Sequence, residues 1–309
     1  MAKVLPPLAL IAGPTASGKS ALALELARRT NGVIVNADSA QLYRDLPVLS
    51  AIPSDADRAA AEHRLYGVRD GSEPCSAAEW ADLAKAEIAA IHAEGRLPIL
   101  VGGSGLYVRT LIDGIAPVPP IKPKVRDEVR RAGVAENLAR LVALDPVSAA
   151  RLSPGDTTRI ARALEVVKSS GVTLGQWQAC QEGGISETVT LRALILLPPR
   201  DWLYERCEQR FEAMVDAAQE EVSALIARNL DSKLPVMRAI GLIEIAALIG
   251  GSLCRDAALA AGTQATRKYA KRQYTWFAHQ PPADWPRFAS PLNQDGAIEA
   301  ALVMLGAAG

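Results

Sequence analysis

No apolar run in these 309 residues is long enough to cross a bilayer. The one nearest the start, Leu8 to Ala12, falls far short of the roughly 20 residues a spanning helix needs. Met1-Ala2-Lys3 is likewise not followed by the apolar stretch of a leader, so we expect a cytoplasmic protein without membrane contact. Cysteine is scarce. Cys75, Cys180, Cys207 and Cys254 are far apart and fit neither C-x-x-C nor a Cys/His ligand spacing, which argues against a structural zinc and for reduced, unpaired thiols. Net charge is absent too: 34 Lys and Arg balance 34 Asp and Glu, so any polyanion partner must be met by local basic patches. There is no internal repeat and no low-complexity segment. What is present, 49% hydrophobic and 22% charged residues, suits a folded enzyme of one large or two modest domains.

Between Leu8–Ala12 and an Ala/Leu-rich helical pattern, Ala21 to Arg28, stands Gly13-Pro14-Thr15-Ala16-Ser17-Gly18-Lys19-Ser20. The spacing is G-x-x-x-x-G-K-[ST]: small residues let backbone N–H groups curl around an anion at a helix N-terminus. Lys19 supplies a mobile charge for the distal phosphate and the Ser20 hydroxyl a ligand for Mg²⁺. The loop predicts a diphosphate site and leaves open whether that diphosphate belongs to a nucleotide.

Further apolar runs at 32–39, ending in polar residues, 98–101 and 190–197 read as buried strands, with a helix from about Ser76 to Glu94 between the second and third. This alternation predicts an α/β fold, a P-loop NTPase-like doubly wound parallel sheet with an inserted helical domain. Ala116-Pro117-Val118-Pro119-Pro120 reads as a hinge. We therefore expect a catalytic core of residues 1–117 and 188–309, and a helical, charged insertion over 118–187.

Asp38 ends the second strand, beside the phosphate loop, with Ser39, Gln41 and Tyr43 following. Two roles fit it equally from the residues alone, a general base or a carboxylate near magnesium. Arg206 and Arg210 are one helical turn apart and can meet a leaving anion, as lid arginines do in P-loop small-molecule kinases; the alternative is a solvated helix paired with Glu205, Glu208 and Glu212. Two basic clusters suit a polyanion: Lys122, Lys124, Arg126, Arg130 and Arg131, then Arg267, Lys268, Lys271 and Arg272. Tyr269 and Trp276, interleaved with the second, are expected in the core.

GPTASGKS at Gly13–Ser20, Asp38-Ser39-Ala40-Gln41-Leu42-Tyr43-Arg44, Leu100-Val101-Gly102-Gly103-Ser104-Gly105-Leu106-Tyr107, Arg162-Ala163-Leu164-Glu165-Val166 and Ala270-Lys271-Arg272-Gln273 together resemble the bacterial tRNA dimethylallyltransferases, in order along nearly the whole chain. The resemblance implies transfer of a dimethylallyl group from dimethylallyl diphosphate to N6 of the adenosine 3′ of the anticodon (position 37), in tRNAs that read codons beginning with U. It gives Thr15 to Ser20 to the isoprenoid diphosphate, with Lys19, Arg206, Arg210 and a Ser20-bound Mg²⁺ offsetting its charge, and makes Asp38 the base. Contacts to tRNA fall to Asp38–Gln41, Ser104, Arg126, Arg162–Val166 and the run Arg238-Ala239-Ile240-Gly241. The insertion becomes a clamp on the anticodon stem-loop, and the protein a monomer without an obligate protein partner. The chain departs from the family's Gly-Thr-Ala-Lys at Leu49-Ser50-Ala51-Ile52, from its Thr at Ser104, and from its Tyr and basic residue at Leu242 and Ile243. A P-loop small-molecule kinase is the alternative reading.

Overall fold

Leu8 to Ala12 is apolar without a break, so it is stable only where both faces of the strand are covered, which is the situation of a central parallel strand. The structure, a computed structural model, describes residues 4–306; Met1-Ala2-Lys3, on which the leader expectation rests, lie outside them. The strands are β1 (Pro7–Ala12), β2 (Val33–Asn36), β3 (Glu62–Arg64), β4 (Pro98–Gly102), β5 (Gly114–Ile115), β6 (Glu182–Gly183), β7 (Thr190–Leu196) and β8 (Arg287–Phe288). Six of them form one sheet in the order β3-β2-β4-β1-β7-β8, with every neighbouring pair parallel. In register, Leu10 lies between Leu100 and Ala193, and Ile11 between Val101 and Leu194.

The period of two in these strands builds two cores. On one face Leu8, Leu10, Val33, Val35, Leu100 and Ile195 pack with Trp80 and Phe277. On the other, Ala9, Ile11, Ile34, Ile99 and Leu194 pack with Leu22 and Leu26 of the helix Lys19–Thr30 and with Ala301 and Leu302 near the C-terminus. Helices on both faces of a parallel sheet are the expected α/β fold. Because all strands run the same way, their carboxyl ends share one edge, and the phosphate loop and Asp38 follow β1 and β2 there.

A second compact unit spans Asp113–Gly184, against the 118–187 expected from the sequence. It has the antiparallel ribbon β5–β6 and its own core of Val129, Leu141, Ile160, Ala163 and Leu164. Asp145 and Asp156 cap two of its helices, and Gly171 ends the helix Thr157–Ser170 at φ 76°. The expectation of tRNA contact along 162–166 needs correction. Ala163, Leu164, Glu165 and Val166 are all buried, because they form the inward side of that helix; Glu165 accepts a 3.0 Å bond from Arg130 Nε. Only Arg162 of that run is exposed.

Candidate active site

The phosphate loop takes its shape from positions where a side chain has no room. Gly18 sits at φ 94°, and a Cβ at Gly13 would lie 2.5 Å from the Leu196 carbonyl. Ser17 is buried, and its N–H donates to the Pro14 carbonyl at 3.3 Å, closing the loop on itself. Lys19 starts the helix Lys19–Thr30 and its Nζ donates to the Pro14 carbonyl at 2.6 Å. Burial pulls this ammonium down from its ordinary 10.5 to about 8, a shift opposed by the Asp38 carboxylate and reinforced by Arg210. Burial also lowers Arg210, again with Asp38 opposing.

Asp38 is oriented from behind by Asn36. The buried Asn36 carboxamide accepts from the Asp38 N–H at 2.7 Å and donates to the carbonyls of Asp38 and Leu65 at 3.0 Å each. The fully buried Trp80 donates to the Asn36 carbonyl at 3.0 Å and stacks on Tyr107 at 4.4 Å, which anchors this strand end in the core. Asp38 Oδ1 then caps the turn by accepting from the Ala40 N–H at 3.0 Å. Ser39 N–H donates to Ser104 Oγ at 2.9 Å, so these two residues join the turns after β2 and β4. Gln41 Nε2 donates to the carbonyls of Ser50 and Ala51 at 3.1 and 2.5 Å.

A cavity of about 390 Å³ gathers these groups. Thr15, Lys19, Ser20, Asp38 and Arg210 form its polar end, and Leu46, Leu49, Phe211, Met214 and Val236 its apolar wall. Ser39, Ala40, Gln41, Arg238, Ala239 and Ile240 also border it, while Gly241, at φ 89°, turns the chain into the helix Leu242–Ile249. Such a space suits a ligand with an anionic head and a hydrocarbon tail, beside a carboxylate able to accept a proton. Arg206 borders an adjoining hollow that shares Lys19, Ser20 and Arg210 with this cavity; its Nε donates to the Ala16 carbonyl at 3.3 Å and its guanidinium stacks on Trp202 at 5.1 Å. Of the cations considered on the two helices, Arg267 pairs with Glu208 at 2.6 Å, whereas Lys268, Lys271 and Arg272 are exposed.

Besides the apolar wall, Tyr269 and Gln273 belong to the site without having been expected there. Tyr269, expected in the core, lines the cavity under the Arg272 guanidinium, 5.6 Å from its ring centroid; burial and Asp38 push its phenol up. Trp276 and Phe277 do pack inward, Trp276 so tightly over Gly105 that a Cβ there would lie 2.4 Å from the ring. The second residue is Gln273. Its buried side chain accepts from the Thr15 N–H at 2.7 Å and donates to the Gly103 carbonyl at 2.9 Å, holding the phosphate loop to the turn after β4. The short sequence signal around it, Lys271-Arg272-Gln273, suggested an RNA contact and said nothing of a latch.

The family model for IPP transferase matches residues 41–280. A tRNA dimethylallyltransferase of Sphingopyxis alaskensis is 59% identical over 290 residues, covering 93% of this chain and 95% of its own. The chain belongs to the IPP transferase family. Another member of this family, the tRNA dimethylallyltransferase of Zymomonas mobilis, is 51% identical over 288 residues, covering 93% of this chain and 92% of its own. The crystal structure of the tRNA isopentenylpyrophosphate transferase from Bacillus halodurans superposes with a TM-score of 0.69 at 31% identity, over 97% of this chain and 96% of that one. A eukaryotic dimethylallyltransferase captured acting on tRNA gives 0.74 at 26% identity, over 88% of this chain and 69% of that one. Membership in the IPP transferase family disfavours the small-molecule kinase. Among the described residues no helix is long and apolar enough to cross a membrane.

Proposed function

We propose that this protein transfers a dimethylallyl group from dimethylallyl diphosphate to N6 of the adenosine at tRNA position 37, in tRNAs reading codons beginning with U, releasing diphosphate. The observation that carries this reading is one cavity that joins Lys19 and Arg210 to Asp38 and to an apolar wall. In the reaction the allylic C–O bond breaks, the N6–carbon bond forms, and an N6 proton passes to the Asp38 carboxylate. Lys19, Arg210 and the loop N–H groups offset the charge that builds on the leaving diphosphate, which is the principal catalytic need because the allylic carbon tolerates partial cation character. Asn36 fixes the Asp38 backbone, and the Ala40 N–H holds its carboxylate at Oδ1.

The residues also fit magnesium. Among the described residues no cluster of three or more His, Cys, Asp or Glu could cage a metal. The Ser20 hydroxyl and the Asp38 carboxylate border the cavity, a donor set suited to Mg²⁺ held mainly by substrate phosphate. Bound there, the ion would add to the charge neutralisation at the leaving group.

The adenine must leave its stack to reach Asp38, at about a few kcal/mol and less in a loop than in a duplex, which favours an anticodon loop as substrate. Arg126, Arg162, Arg238 and Ser104 are assigned to tRNA contact, and residues 118–187 to gripping the anticodon stem-loop. We assign the protein to the cytoplasm, as a monomer without an obligate protein partner. The test is incubation with Mg²⁺, dimethylallyl diphosphate and tRNA, followed by digestion and mass measurement of the nucleosides. An adenosine heavier by one five-carbon group is expected. Unmodified adenosine under conditions where the Sphingopyxis relative is active would overturn the reading.

A further inference from the structure

The turn Pro47–Ser50 brings Leu49 and Ser50 to the cavity wall, yet Leu46, which precedes it, offers no side-chain cap. The acceptor for its leading N–H groups comes from 172 residues away. Glu221, in the first turn of the helix Gln219–Ala227, takes the Val48 N–H on Oε2 at 2.8 Å and the Leu49 N–H on Oε1 at 2.7 Å. Burial raises this carboxyl and the two N–H donors oppose the rise, so the group is held by its hydrogen bonds. The other end of the same turn meets Gln41 and Arg210: the Ser50 carbonyl accepts from Gln41 Nε2 at 3.1 Å and from Arg210 Nη2 at 3.4 Å. Leu49 itself seats beside Phe211, the neighbour of Arg210, where both crowd Gly241: a Cβ on that glycine would lie 3.0 Å from Leu49 and 2.5 Å from Phe211.

We propose that Glu221 is a positioning residue for the prenyl-donor side of the cavity, fixing the Pro47–Ser50 turn and, through the Ser50 carbonyl, the Arg210 guanidinium and the Gln41 amide. It touches no reacting atom. It is chemically suited to this work because a carboxylate offers two acceptor oxygens to two adjacent backbone donors, as a helix cap does. The inference rests on the function proposed above.

The experiment is steady-state kinetics of Glu221→Ala, Glu221→Gln and Glu220→Ala, with thermal unfolding and tRNA binding measured alongside. Glu221→Ala should lose about 10- to 100-fold in kcat/KM for dimethylallyl diphosphate, the scale of an ångström-sized misplacement, with a smaller loss of tRNA affinity through Gln41. Glu221→Gln, which keeps one acceptor oxygen, should recover to within about tenfold of wild type, and the exposed Glu220→Ala should match it. Placed on an Arg210→Ala background, Glu221→Ala should cost less than about threefold more, since its partner is already gone. Wild-type kinetics in Glu221→Ala, or losses that multiply in full with Arg210→Ala, would overturn the proposal. If Glu221→Ala does not fold, Glu221→Gln and its cycle with Arg210→Ala decide by the same criterion. Absence of prenyl transfer by the wild-type protein would instead count against the function on which the inference rests.

Discussion

Raising the pH from 7 to 9 should weaken binding of the prenyl donor, and Lys19 sets the magnitude. Its ammonium titrates near 8 because burial disfavours its charge. The charged fraction therefore falls from about nine-tenths at pH 7 to one-half at pH 8 and about one-tenth at pH 9. The sign follows from which form binds: the diphosphate needs the charged amine, so its apparent affinity drops as the free protein gives up the proton. Across the interval the loss comes to about tenfold, because affinity scales with the protonated fraction until the pKa of the bound state is reached. The donor adds little of its own, since phosphate second ionisations near 6 are largely complete by pH 7. Neighbouring groups are also silent in this window: burial pushes Cys207 to about 11 and raises Tyr269 as well. The assay is calorimetric titration with a non-hydrolysable donor analogue at pH 7, 8 and 9, for wild type and Lys19→Ala. The variant should bind weakly with no slope over this range. A flat wild-type profile, or an equal slope in Lys19→Ala, would refute Lys19 as the titrating group.

Asp38→Ala should leave tRNA binding near normal and cut turnover by roughly 10² to 10⁴, the usual loss for a general base; unchanged turnover in single-turnover assays would remove it from that role. Arg126→Ala and Arg162→Ala should each weaken tRNA binding and reduce the slope of log affinity against log salt by about one, checked by filter binding at several salt concentrations. Gln273→Leu should raise the KM for the prenyl donor with a smaller effect on tRNA affinity, because the Thr15 N–H loses its acceptor; equal effects on both substrates would show that the latch was misread. Gly262→Ala, a change that ordinarily stabilises a helix, should here destabilise by about 1–3 kcal/mol and lower the melting temperature, since the new Cβ would lie 2.0 Å from Phe211.

The parts of the molecule that could be read from the chain are those whose cause is local. A glycine-rich spacing between an apolar run and a helical pattern can be seen within 20 residues, and the apolar runs within 8–12, 32–39, 98–101 and 190–197 mark the strands. The edge strands β3 and β8 escape the same reading because they have three and two residues and no period to detect. Within the site, Asp38 was legible as a polar residue at a strand end. The apolar wall was not: Leu46, Phe211 and Val236 come from distant segments and look like any core residue until the cavity is assembled. The misassignment of Ala163–Val166 has a similar origin, since a motif names a stretch of chain while a helix exposes only some of its sides. Tyr269 is the opposite case, an aromatic that helical spacing assigns to the core and that lines the cavity instead.

Gln273 also bears on how the protein is made. Its partner Thr15 lies 258 positions earlier, so the segment that cradles phosphate leaves the ribosome long before the amide that braces it. A nascent chain halted ahead of the helix Arg255–His279 carries every residue of the loop motif and lacks its brace. Such late closure belongs to the slow class of folding steps, in which a large loop is drawn together before the contact rewards it. The phosphate loop thus gains its brace only after Gln273 has been made.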